Sequence, residues 1–204
     1  KYVSLKDAYI SIYEALHHSE KVNNVNVKIR WIDSETLEKK NAEKILDGID
    51  GMIVPGGFGN RGIEGMINAL KYARENNIPC LGICLGMQLM VIEFMRNVVG
   101  LKDANSLEFS STTKNPVINI MEDQINVENK GGTMRLGKYP CTLDANTQAF
   151  EAYKNSLIYE RHRHRFEFNN DYRDMAIKNG LNIVGTSPDN KLVEMVEVSN
   201  NLWM

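Results

Sequence analysis

A cysteine with glycines two residues to either side, Gly82-Ile83-Cys84-Leu85-Gly86, stands where an apolar run over residues 78–83 meets a helix-patterned segment, Leu85–Asn97. Buried strand, sharp turn and helix in that order form an elbow that exposes a reactive atom at the turn. Glycines suit the flanks because side chains there would collide with the tightly turned backbone or with an approaching substrate. Free N–H groups and the dipole at a helix N-terminus favour a thiolate, which makes Cys84 a candidate nucleophile. The same spacing also suits a buried structural cysteine in an α/β core. Cys80, four residues earlier within the predicted strand, reads as a small core residue, and Cys141 after Pro140 has no comparable context.

Two further clusters carry chemistry. Pro55-Gly56-Gly57-Phe58-Gly59 turns the chain after a short apolar segment, and such a turn can present backbone N–H groups to an oxyanion. The run Arg161-His162-Arg163-His164-Arg165 would, on a strand, place its arginines on one face and its histidines on the other. It suits a charged edge strand or an anion patch of guanidinium forks. A zinc site at His162 and His164 lacks partner ligands.

The elements that must position these residues are legible in outline. Residues 5–18 have a helical apolar face, and residues 25–32 alternate as a half-buried strand. Residues 36–46 read as a helix, 51–54 as a short buried strand and 64–75 as a helix before the elbow strand. Beyond Glu108 strands dominate: 117–120, 133–143, 157–168, 182–186 and 192–198, with one helix over 172–179. The expected class is α/β: a three-layer α/β/α core with a mainly parallel, flavodoxin-like central sheet and added antiparallel strands. In such sheets ligands lie beyond the carboxyl ends of the strands, so the loops at 55–59 and 82–86 converge on one pocket.

A chain of 204 residues fits one domain, 1–204, with a sizeable core. A net charge of −2 gives no general reason to expect nucleic acid or a membrane as partner. No apolar run approaches the roughly 20 residues that span a bilayer. Three sparse cysteines without metal-ligand spacing suit a reducing, cytoplasmic setting.

With these residues in view, the chain resembles a class I glutamine amidotransferase, and within that class the glutaminase domains of the CTP synthase family. The likeness rests on the elbow, on Pro55 to Gly59 with Arg61-Gly62 and Glu64-Gly65, on Gly131-Gly132-Thr133-Met134-Arg135-Leu136-Gly137, and on Glu160 to Glu167. It implies hydrolysis of L-glutamine through a cysteine thioester at Cys84. Gly57 and Leu85 would supply the oxyanion N–H groups, and Glu108 would meet the substrate's α-amino group. Gln88 and Arg165 would contact the substrate, Arg165 at its α-carboxylate, and Gly86 and Met87 would line the same site. No metal is implied here, and the glutaminase step needs no cofactor. ATP and magnesium would belong to a separate synthetase domain that receives the ammonia, GTP would act as effector, and the complete enzyme would be a homo-tetramer.

The family completes its triad with a His-Pro-Glu segment near the C-terminus. Here His17, His18, His162 and His164 are the histidines, and none is followed by Pro-x-Glu. The chain is therefore expected to be incomplete at both ends. Two rivals stand: the glutaminase subunit of another class I amidotransferase, and a non-catalytic regulatory or binding module of the same fold.

Overall fold

The chain lays down short strands and helices in the order α1 (Ile10–Asn23), α2 (Ser34–Lys39), α3 (Ala42–Leu46), β1 (Met52–Val54), α4 (Ile63–Glu75), β2 (Cys80–Gly82) and α5 (Leu85–Asn97). There follow β3 (Ala104–Ser106), β4 (Asn115–Ile120), β5 (Arg135–Leu143), α6 (Gln148–Tyr153), β6 (Leu157–His164), β7 (Phe166–Phe168), α7 (Arg173–Lys178), β8 (Leu181–Thr186) and β9 (Val193–Val198). The structure is a computed structural model that describes residues 1–39, 41–121 and 135–204. Most of the predicted loop at 131–137 thus lies outside the described residues.

Helix α5 forms at the bounds the sequence predicts, and nearly all its circumference is apolar: Leu85, Leu89, Met90, Val91, Ile92, Phe94 and Met95 are all buried. A helix apolar all round belongs in a core, and α5 packs against α4, β1, β2, β3, β4 and β7. Its one carboxylate, Glu93, is fully buried and met from α4 by Arg74, with Nε 2.9 Å from Oε2 and Nη2 2.8 Å from Oε1. A charge at that depth requires such a partner, so the pair pins α4 to α5.

The elbow strand β2 lies between two parallel neighbours. On one side β1 pairs in the register Met52↔Cys80, Ile53↔Leu81 and Val54↔Gly82. On the other, residues 202–204 run alongside: Cys80 N–H donates to Leu202 O at 2.8 Å and Gly82 N–H to Met204 O at 2.8 Å. The mixed α/β class is as expected. Parallel pairing also joins β3 to β4, while β4–β7 and the four-stranded sheet β6-β5-β8-β9 are antiparallel.

Several local expectations are corrected. Residues 25–32 form no ladder among the described residues, although Val27 and Ile29 are less exposed than their neighbours. Alternation fixes which side faces in, but a strand needs a partner edge. The single helix over 36–46 is two: Asn41 caps the second, its side chain accepting from Glu43 N–H at 2.9 Å, a local competitor for the first helix's backbone. The strand over 157–168 breaks at Arg165 into β6 and β7. Helix α6 and strand β3 were not foreseen. Among the described residues no helix is long and apolar enough to cross a membrane.

Candidate active site

Cys84 caps α5 with φ 57° and ψ −107°, a backbone conformation that L-residues with side chains rarely adopt. Such a residue costs on the order of 1–3 kcal/mol and persists only where its surroundings enforce it. The enforcement is visible. Gly86 N–H donates to Ile83 O at 2.9 Å, and Gln88 N–H donates to Cys84 O at 3.2 Å. A Cβ on Gly86 would stand 1.9 Å from Val54 O, and one on Gly82 would stand 2.3 Å from Met90 Sδ. Both flanking glycines are thus required by close packing.

Burial pushes the Cys84 thiol above its ordinary value; backbone hydrogen bonds from Leu85 and Gly57 pull the other way, and the Glu108 charge adds to the rise. Burial therefore opposes the thiolate that a helix terminus favours. The same two backbone groups, Leu85 and Gly57, are those expected to hold an oxyanion. They reach the thiol from different elements, one from the start of α5 and one from the loop after β1.

That loop, 55–59, is tethered from outside the site. Tyr9 Oη donates to Gly56 O at 3.2 Å, Tyr2 Oη accepts from Phe58 N–H at 3.2 Å, and Lys1 Nζ donates to Gly59 O. Glu108 Oε1 accepts from Gly59 N–H at 3.0 Å. A Cβ on Gly57 would meet Lys1 Cδ at 3.0 Å and Leu85 Cδ2 at 3.3 Å, so a side chain there would crowd the side chains that pack against the loop.

A cavity of 370 Å³ opens over Cys84, walled by Gly57, Gln88, Glu108, Arg165 and Phe166 among others. Five of the expected residues therefore converge: Cys84, Gly57, Gln88, Glu108 and Arg165. Gln88 Nε2 donates to Phe166 O at 3.0 Å, tying α5 to the start of β7. Arg165 interrupts the ladder between β6 and β7, and its buried Nε–H has no hydrogen-bond partner among the described residues. A guanidinium donor left unmatched in this way beside a cavity has the chemistry to receive an anion. Leu85 contributes its backbone only, its side chain being buried in the core. Gly86 does not border this cavity, and Met87 borders a second one of 530 Å³ that also touches Cys84.

Five residues that sequence reasoning did not place in the site line the first cavity: Phe58, Leu107, Arg163, His164 and Phe166. The Arg163 guanidinium carbon lies 5.3 Å from the centre of the Phe58 ring, an arrangement that links β6 to the loop after β1. The alternation over 161–165 holds as far as His164: Arg161 and Arg163 are exposed, His162 and His164 half-buried. It fails at Arg165, where the ladder ends and the third arginine turns to the cavity. Strand β6 is the edge of its sheet, as a charged strand suits.

His164 also borders the second cavity, in a network with His162, Glu194 and Arg135. The His162 and His164 Nδ1 atoms are 3.2 Å apart, and Glu194 lies 2.6 Å from Arg135 Nη1 and 3.5 Å from His162 Nδ1. Burial, first of all, lowers both histidines to about 4. Neutral at pH 7, one ring donates to the other.

A model of the glutamine amidotransferase class-I family matches residues 4–204. Over 203 residues the chain is 58% identical to CTP synthase of Clostridium beijerinckii and 58% identical to CTP synthase of Carboxydothermus hydrogenoformans, covering 100% of this chain in each case. It spans 38% of the length of these curated relatives. The glutaminase domain of Trypanosoma brucei CTPS with bound acivicin superposes with a TM-score of 0.91 at 39% identity, covering 100% of this chain and 80% of that one. A Thermotoga maritima glutamine amidotransferase shares the fold, with a TM-score of 0.53 at 15% identity.

Proposed function

The chain belongs to the class I glutamine amidotransferases, and from that premise we propose that it is the glutaminase part of a CTP synthase, with Cys84 as nucleophile. The observation that carries the assignment is the convergence of Cys84, Gly57, Gln88, Glu108 and Arg165 on one 370 Å³ cavity.

In the proposed reaction L-glutamine enters with its α-amino group toward Glu108 and its α-carboxylate toward the unmatched Arg165 Nε–H. The Cys84 thiolate attacks the side-chain amide carbon. The new C–S bond pushes the carbonyl electrons onto oxygen, and the resulting oxyanion lies between the Gly57 and Leu85 N–H groups. Preorganised donors of this kind need no reorientation as charge develops. Collapse expels nitrogen as ammonia once it has taken a proton, leaving a γ-glutamyl thioester that water cleaves to glutamate. Because burial holds the Cys84 thiol up, the reaction calls for a base to remove its proton. The family resemblance assigns that task to a histidine of a His-Pro-Glu segment.

The ammonia would pass to a synthetase domain that aminates UTP to CTP. ATP and magnesium would act there, GTP would serve as effector, and the complete protein would assemble as a tetramer in the cytoplasm. None of these takes part in the steps at Cys84.

The reading is tested by mixing the complete protein with L-glutamine, quenching in acid and mapping its peptides by mass. A γ-glutamyl group on the Cys84 peptide, with release of glutamate and ammonia, is expected. Binding of glutamine with no adduct and no glutamate would favour a non-catalytic module. Acivicin, found in the trypanosome relative, is expected to protect Cys84 from alkylation.

A further inference from the structure

We propose that Tyr9 and Tyr2 are positioning residues of the glutaminase site: their hydroxyls lock the two peptide groups flanking the Gly57 α-carbon, keeping the Gly57 N–H aimed at Cys84. This rests on the glutaminase reading above and adds to it residues that do not border the cavity.

The Gly56 carbonyl and the Gly57 N–H belong to one peptide group. In a trans peptide the two point in opposite directions, and no cis peptide occurs among the described residues. Tyr9 Oη, 3.2 Å from Gly56 O, therefore holds the carbonyl end away from the thiol and turns the N–H end toward it. The next peptide group, Gly57–Phe58, is gripped by Tyr2, whose hydroxyl accepts from Phe58 N–H at 3.2 Å.

The clamp answers a specific weakness. With glycine on both sides, the 56–57 peptide has no Cβ to resist rotation. A flip would bring a carbonyl oxygen to the place where the oxyanion forms, replacing attraction by repulsion. Tyr9 is well placed to prevent this. It is buried at 8% exposure, its ring is 6.4 Å from Trp31 at an interplanar angle of 21°, and it lies 6.0 Å from the Tyr2 ring. Burial also raises the Tyr9 hydroxyl above its ordinary value, so it stays a donor at neutral pH.

The test uses Tyr9→Phe and Tyr2→Phe in the complete protein, each removing one hydroxyl and little volume. Glutamate release gives kcat and KM for glutamine. Iodoacetamide alkylation of Cys84, at a pH where the thiol is ionised, reports the nucleophile without needing an oxyanion site. A misaimed donor costs rate: a displacement of about 1 Å can lower it ~100-fold. We expect kcat to fall about 10- to 100-fold in each variant, with KM and alkylation rate within about twofold of wild type. Unchanged kcat in both variants would overturn the proposal. So would a change confined to KM, or a loss of alkylation in proportion to kcat, since either would mean a deformed pocket. A wild-type protein that hydrolyses no glutamine would remove the glutaminase reading itself, and this inference with it.

Discussion

Glu108 Oε1 accepts a hydrogen bond from Gly59 N–H at 3.0 Å, so a wall of the cavity is also an anchor of the loop that carries Gly57. The two roles separate by substitution. Glu108→Gln keeps an acceptor for Gly59 but loses the charge that would meet an α-amino group. It should raise the glutamine KM about 10- to 100-fold, the range of a charge-assisted hydrogen bond, with little change in kcat. Glu108→Ala should raise KM equally and lower kcat as well. Equal kinetics for the two variants would show that the anchor does not matter.

Arg165 holds at the cavity a buried Nε–H unmatched among the described residues, a donor costly to leave unpaired. Arg165→Lys keeps the charge and removes the planar fork. Glutamine affinity, measured by calorimetry in a Cys84→Ala background, should weaken about 10- to 100-fold in Arg165→Lys and further in Arg165→Ala. Wild-type affinity in both would take Arg165 out of the pocket.

At the elbow, Gly86→Ala would place a Cβ 1.9 Å from Val54 O, a backbone atom that cannot move aside cheaply. Overpacking of this kind costs about 1–3 kcal/mol, and Tm should fall by several degrees. Gly51→Ala meets Pro79 O at an ordinary 3.6 Å and serves as the comparison. Equal Tm values for the two variants would contradict the close packing described here.

The His162–His164 pair makes stability pH-dependent. Both titrate at about 4 in the folded chain against an ordinary 6.5. Between those values the unfolded chain binds protons that the folded chain refuses, so stability falls as pH drops from 6.5 toward 4 and is constant above 6.5 on this account. Thermal unfolding across pH 4 to 7.5 should show that slope, and His162→Gln with His164→Gln should flatten it. A wild-type profile without a slope in that window would contradict the burial of the pair.

Much of this was legible because the signals are local. The bounds of α5 follow from its continuous apolar surface, and the elbow follows from glycines two residues either side of Cys84. What escaped depends on distant partners. Residues 25–32 alternate in type but have no ladder neighbour among the described residues, and alternation carries no information about one. Helix α6 is short, and its start is marked chiefly by the Thr147 cap, whose hydroxyl accepts from Phe150 N–H at 3.1 Å. The tyrosine tethers join residues 47 and 56 positions apart, invisible to any periodicity. Arg163 and His164 stand in a run the sequence flags, yet only the end of the ladder at Arg165 reveals which side faces the cavity.

The most direct test of the central claim is Cys84→Ala in the complete protein, assayed for CTP formation with glutamine and, separately, with free ammonia. Loss of a catalytic nucleophile costs on the order of 10⁴-fold or more. Glutamine-dependent formation should therefore vanish while ammonia-dependent formation stays within about twofold of wild type. Retained glutamine-dependent formation would show that Cys84 is not the nucleophile.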